Sequence, residues 1–96
     1  MSQVHNEAPS PDRILRPAAG VVAREMGHAT ILVHLDTNRI FELNTTGTRI
    51  WTWLQQGASP SSVRDRLRTE FPGAADLDAT VDRLLADLLH EGLIGA

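Results

Sequence analysis

Three short segments in the first half of the chain have the residue pattern of β-strands. Segment 21–26 is rich in β-branched residues and ends before Gly27, while segments 30–35 and 39–43 alternate their side chains with a period of two. Residues 36–38 favour a turn, because Asp and Asn side chains hydrogen-bond to their own backbone. Since the connections are short, we predict an antiparallel meander of three strands.

The second half of the chain changes to the apolar spacing of helices. We predict a first helix over 47–56, a second from Pro60 after a capping Ser59, and a third from residue 76 or 78 to 91. A three-stranded sheet with one apolar face needs a helical layer to cover it. The prediction is therefore an α+β fold, winged helix-turn-helix-like, with a three-stranded antiparallel sheet followed by three helices.

The third predicted helix has more apolar residues than one buried face requires. Four of them, at positions 77, 81, 84 and 88, are enough to pack one face of the helix on a small domain. The remaining two, Leu85 and Leu89, have two interpretations. They either widen the core face or line a groove beside the sheet, with Asp82, Ala86 and Asp87 at its rim.

The N-terminal residues differ from the rest of the chain. Residues 1–16 are polar, contain prolines and show no sustained period, so we predict a flexible segment followed by one domain over 17–96. The first twenty residues lack the apolar segment of a secretory signal, and the chain has no run of 18 apolar residues. We expect a cytoplasmic protein.

Composition and motifs argue against catalysis. The chain has 96 residues, a formal charge of −3 and no cysteine, which excludes disulfides, thiolate metal sites and a cysteine nucleophile. The four histidines are not at metal-ligand spacing, and the serines at 59, 61 and 62 lie in a capping sequence rather than a nucleophile motif. We expect no enzymatic activity, no metal and no cofactor.

Two binding functions remain open. A sheet followed by three helices also describes a winged-helix DNA-binding protein, in which Arg64, Arg66 and Arg68 contact phosphates, although Asp65 and Glu70 lie among them. The other function is peptide capture, because the last strand of a meander has a free edge to which an extended peptide can add. That edge could instead be covered by the chain's own N-terminal segment.

The segments ILVHLDTNRIFELNTTGTRIWTWLQQG, SPSSVRDRLRTEF and DLDATVDRLLADLLHEGLI resemble the PqqD-like family. Members are small RiPP recognition elements, which bind the leader region of ribosomally made precursor peptides. The resemblance covers about residues 20–95 and implies that a leader adds as a strand on the third strand, against the third helix. The peptide-binding residues that it implies are Arg39, Ile40, Phe41, Glu42 and Leu43 on the strand, and Asp82, Leu85, Ala86 and Leu89 on the helix.

The resemblance also implies partners. The run from Leu35 to Trp51 looks most like the recognition proteins of lasso-peptide biosynthesis, which present the precursor to a separate leader peptidase of the cysteine-protease type. Other members of the family act as peptide chaperones for radical-SAM enzymes, as in the synthesis of pyrroloquinoline quinone. The residues leave both pathways open.

Overall fold

The computed structural model describes residues 10–96, which form three helices, a three-stranded sheet and a two-stranded ribbon. Within this part of the chain, no helix is long and apolar enough to cross a membrane. The elements in chain order are β1 (Arg16–Pro17), β2 (Val21–Met26), β3 (Ala29–His34), β4 (Arg39–Leu43), α1 (Thr45–Gln55), α2 (Pro60–Glu70), α3 (Leu77–His90) and β5 (Ile94–Gly95).

The main sheet is antiparallel, with strand order β2-β3-β4. Its register pairs Ala23 with Leu32 and Leu32 with Phe41, so these three residues share one face. Leu32 is fully buried on that face. Ile40, which precedes Phe41 on β4, lies on the other face and is 69% exposed. The predicted meander is confirmed, and one of its faces is covered.

Local sequence determines where the first two helices begin. The Asn44 side chain accepts a hydrogen bond of 2.9 Å from the Gly47 N–H, and the Ser59 side chain accepts one of 3.2 Å from the Ser62 N–H. These contacts satisfy backbone donors that a helix N-terminus leaves unpaired. Pro60 follows Ser59 at the start of α2, where its missing N–H costs nothing.

The core lies between the covered sheet face and the helices. α1 contributes the largest share, and α2 and α3 complete it around the end of the sheet. The α+β architecture is confirmed, and α3 lies across a groove from β4, the edge strand opposite β2. The buried apolar residues are Leu15, Leu32, Leu43, Ile50, Trp51, Trp53, Leu54, Ala58, Val63, Leu67, Val81, Leu85, Leu88, Leu93 and Ile94.

Residues before the predicted boundary at residue 17 also pack on the domain. Leu15 is 1% exposed, and it exchanges backbone hydrogen bonds of 2.9 and 3.1 Å with Ala58. Strand β1, directly after it, pairs with β5. Ile14 and Leu15 are an isolated apolar pair in a polar stretch and produce no periodicity, which is why the pattern did not reveal the burial of Leu15. Residues 1–9 of the predicted flexible segment lie outside the described residues.

Candidate functional site

Strand β4 is an edge of the main sheet. Within residues 10–96, β4 pairs with β3 on one side, and no strand pairs with it on the other. The unpaired side borders a groove whose opposite wall is α3. An unpaired edge presents a row of backbone donors and acceptors, so it can accept a further strand.

The groove between β4 and α3 has two lobes, which share Glu42, Leu43, Leu84 and Asp87. The polar lobe has a volume of about 360 Å³ and lies toward the start of α1. The apolar lobe has a volume of about 280 Å³ and lies toward the end of α3. The polar lobe is further lined by Asn44, Thr46, Gly47, Thr80 and Arg83, and the apolar lobe by Phe41, Leu88, His90, Glu91 and Leu93.

Alternation along β4 divides its side chains between the two faces of the sheet. Arg39, Phe41 and Leu43 lie on the face that the helices cover, in register with the buried side chains of β3. Ile40 and Glu42 lie on the open face and are exposed. A strand added to β4 would therefore place every second side chain toward α3 and into the lobes.

Arg39 makes two contacts at the end of the groove. Its Nη1 lies 2.9 Å from Oε1 of Glu91, which directly follows α3. Its guanidinium carbon lies 5.3 Å from the centre of the Phe41 ring, a cation–π distance. Arg39 thus links β4 to the end of α3, beside the apolar lobe that Phe41 and Glu91 line.

The structure places the predicted α3 residues away from the lining of the groove. Leu85 is 0% exposed and belongs to the core. Asp82 pairs with Arg64 of α2 at 2.6 Å and does not line the groove. Ala86 and Leu89 follow Asp82 at helical spacing and do not line the groove. The groove residues at positions 80, 83, 84 and 87 each lie two positions before a predicted one, and two residues rotate a helix by about 200°, so the two sets lie on different faces.

The residues of α3 that do line the groove are Thr80, Arg83, Leu84, Asp87 and Leu88. Their separations of three and four residues put them on one face. Sequence reasoning assigned Leu84 to the core and missed Thr80 and Arg83. A signal was present, because Leu84 and Leu88 are flanked on the same face by Thr80 and Asp87, which a fully buried face would not contain.

Outside the groove, two of the three arginines of α2, Arg64 and Arg68, are engaged in ion pairs, and Arg66 lies over the Trp53 ring. Arg68 contacts both Asp65 and Asp78, and the hydrogen bond with Asp78 raises its pKa. Glu70 binds Arg49 of α1, and that hydrogen bond lowers the pKa of the Glu70 carboxyl. These pairs join α2 to its neighbours and describe a salt-bridged outer face rather than a free cationic surface.

Other features of the described residues do not compete with the groove. Among residues 10–96 there is no cluster of three or more His, Cys, Asp or Glu side chains that could hold a metal ion. A larger cavity of about 410 Å³ lies at the turn between α2 and α3, lined by residues that include Arg68, Phe71 and Leu77. It borders no sheet edge, so it offers no backbone pairing to a ligand.

A comparison with protein-family models identifies the chain. Residues 29–94, which include β3, β4, all three helices and both lobes of the groove, match the family described as coenzyme PQQ synthesis protein D (PqqD). The chain belongs to the PqqD family. The resemblance noted in the sequence is thereby confirmed, whereas a comparison with curated proteins found no match.

Two solved structures are similar to this PqqD-family chain. TbiB1 in complex with the TbiA(beta) leader peptide is 28% identical, with a TM-score of 0.69 over 84% of this chain and 95% of that one. A lasso peptide synthetase B1 complexed with the leader peptide is 20% identical, with a TM-score of 0.73 over 85% of this chain and 98% of that one. The second likeness concerns the fold alone.

Proposed function

We propose that this PqqD-family protein binds the leader region of a ribosomal precursor peptide, as a strand added to β4 and packed against α3. The observation that carries the proposal is an unpaired strand edge beside a two-lobed groove. Support comes from the family match and from TbiB1, which is 28% identical and was solved with a leader peptide. Strand addition is a common mode of peptide recognition.

Backbone pairing and the lobes have different roles in this mode of binding. Main-chain hydrogen bonds to β4 contribute affinity for any extended peptide, whatever its sequence. Selectivity comes from the alternate side chains that enter the lobes, where an apolar anchor over Phe41, Leu84 and Leu88 would contribute about 1.5–3 kcal/mol. We expect leaders with a large apolar residue at the position of the apolar lobe.

The β4 part of the site keeps the five residues predicted from the sequence, Arg39, Ile40, Phe41, Glu42 and Leu43. On α3 the proposal replaces the earlier residues with Thr80, Arg83, Leu84, Asp87 and Leu88, because these line the groove. Ile40 and Glu42 would contribute through their backbone, since their side chains lie on the open face. Phe41 and Leu43 would contribute side-chain contacts as well.

The protein would act as a non-catalytic adaptor. It would hold the leader while a separate enzyme acts on the precursor, and a leader peptidase of the cysteine-protease type is the partner that a lasso pathway requires. The resemblance of the run from Leu35 to Trp51 to the recognition proteins of lasso-peptide biosynthesis favours this pathway. A second candidate is delivery of a precursor to a radical-SAM enzyme, which the family's description as a protein of PQQ synthesis favours.

The first experiment selects ligands and then locates them. A display library of random 14-residue peptides is panned on the full chain, and amide hydrogen exchange is measured with and without the strongest peptide. Added protection should appear in 39–43 and in α3, because strand addition ties up the β4 edge. A scrambled version of the same peptide is the control.

Two results would contradict the proposal. One is a library in which no peptide is enriched over the scrambled background. The other is binding with protection at β2, or at the turn between α2 and α3, while β4 exchanges as in the free protein. Either result would remove the β4 groove as the functional site.

A further inference from the structure

The two ends of the groove are built differently. At the apolar lobe, the Arg39–Glu91 ion pair joins the first residue of β4 to the residue after α3. At the polar lobe, Asn44 follows β4 and Thr80 lies on α3, and within residues 10–96 no hydrogen bond or ion pair joins those two side chains. We call the Arg39–Glu91 ion pair the crossbar, because it connects β4 to the end of α3 at one end of the groove. The other end has no such connection between Asn44 and Thr80 in this part of the chain.

The crossbar is an ion pair at the surface, with the Arg39 side chain 59% and the Glu91 side chain 25% exposed, and neighbouring contacts support it. The Arg39 side chain is restrained twice, by Glu91 at 2.9 Å and by the Phe41 ring at 5.3 Å. Glu91 is itself anchored, because its backbone N–H donates to the Asp87 carbonyl at 3.0 Å and caps α3. The two contacts of Arg39 and the capped end of α3 therefore hold the ion pair in one position at the end of the groove.

Strand addition by itself does not define a register. Main-chain hydrogen bonds repeat every two residues, so a peptide that slides by two positions, about 6.6 Å, regains the same bonds. A side-chain feature must select one position. A peptide side chain that lies opposite Arg39 and is directed toward α3 would meet the guanidinium group and the carboxylate of the pair. Two residues further along β4, opposite Phe41, it would enter the apolar lobe.

We propose that the Arg39–Glu91 pair is a stop that sets the register of the bound leader. This inference rests on the proposed function and adds to it a specificity-determining pair. The strand of the leader ends at the crossbar, and its last side chain directed toward α3 fills the apolar lobe. The pair thereby fixes which residue of the precursor leaves the groove, and at which end.

Cysteine cross-linking can measure the register directly, because the chain has no cysteine of its own. Thr80→Cys places one thiol in the polar lobe. A peptide from the selection above is made as a series, each member carrying an activated Cys disulfide at one position, and the rates of exchange with the protein thiol are compared. The same series is run with Arg39→Gln, Glu91→Gln and the charge-swapped pair Arg39→Glu with Glu91→Arg.

When Arg39 and Glu91 are unaltered, one peptide position should exchange with the protein thiol about tenfold faster than the positions two residues away from it. Either single variant should reduce that preference to about twofold to threefold, since the crossbar is broken, and the charge swap should restore much of it. Arg68→Gln is the matched control, because it breaks an exposed ion pair between α2 and α3 away from the groove. It should leave the preference unchanged.

The inference fails if the single variants keep the one reactive position, or if the unaltered pair already gives several positions two residues apart. Such a result leaves the proposed function standing, provided that binding still depends on the groove. Groove dependence is read separately from the loss of peptide affinity in Leu84→Asp. If that variant binds as the wild type does, the proposed function fails instead.

Discussion

The main sheet has two edge strands, β2 and β4, and in the described part of the chain only β4 lies across a groove from a helix. β2 and β4 both leave one side unpaired within residues 10–96. Beside β4 stand α3 and the two lobes of the groove. β2 carries the charged Arg24 and Glu25 in its middle, and Val22, which is 50% exposed, lies on the open face. Their backbones offer the same kind of hydrogen bond, so the difference between them lies in side chains.

The comparison shows how a small fold can restrict strand addition to one place. Charged residues in an edge strand discourage pairing with other chains, and β2 has an adjacent pair of them. At β4, an added strand also buries side chains against Leu84 and Leu88. The charges on β2 thus protect one edge of the sheet, whereas α3 lies beside β4 and makes the other edge suitable for binding.

The largest effect should separate the wall of the groove from the core behind it. Leu85→Asp places a carboxylate at a position that is fully buried, which should cost more than about 4 kcal/mol and unfold much of the protein. Leu84→Asp changes the neighbouring residue, which is half-buried and lines the groove, and should leave a folded protein. Urea unfolding followed by circular dichroism measures both. Equal destabilisation by the two variants would mean that Leu84 is a core residue.

The same two leucines show how far sequence reasoning could go. The strands, the helix order and the position of β4 at an edge followed from periodicity, caps and short connections, which are local properties. The face of α3 that meets β4 did not. Six apolar residues cover so wide an arc of this helix that its rotation depends on how α2 crosses it, and the Arg64–Asp82 contact is part of that packing.

The start of the domain was hidden for a related reason. Leu15 and the adjacent Ile14 form an isolated apolar pair among polar residues, and the partner of Leu15, Ala58, is far away in the sequence. A bridge of this kind depends on the completed fold, so no local pattern could predict it. The strand residues of the site, in contrast, were assigned by the family motif, and they lie together along the groove edge.

The second prediction compares the two edges directly. Leu84→Asp places a charge beside β4, and Val22→Asp places the same charge at an exposed apolar position on β2. Peptide affinity, measured by fluorescence anisotropy, should fall about 30-fold in the first variant, equivalent to about 2 kcal/mol, and less than twofold in the second. If Val22→Asp causes the larger loss, the binding edge is β2 and the assignment must be reversed.

A smaller effect is expected from removing the protection of β2. Arg24→Val combined with Glu25→Val turns the middle of that strand into an apolar edge. Sedimentation velocity should then show self-association that grows with protein concentration, while the affinity of the selected peptide for β4 stays within about twofold of the wild type. A double variant that remains monomeric at high concentration would show that these charges do not protect the edge.

The smallest effect concerns pH and should leave both edges alike. The hydrogen bond from Arg49 lowers the pKa of Glu70 in the folded protein. The ionised carboxylate therefore stabilises the fold above the pKa that glutamate has in the unfolded chain, about 4.3. This contribution is lost as the pH falls through the lower pKa of the folded protein. Glu70→Gln should therefore lower the Tm slightly near neutral pH, and the difference from the wild type should shrink below pH 4. The pair joins α1 to α2 on the exposed outer face and touches neither β2 nor β4. Peptide affinity at pH 7 should thus be the same in Glu70→Gln and the wild type, and a change there would mean that the groove depends on packing between α1 and α2.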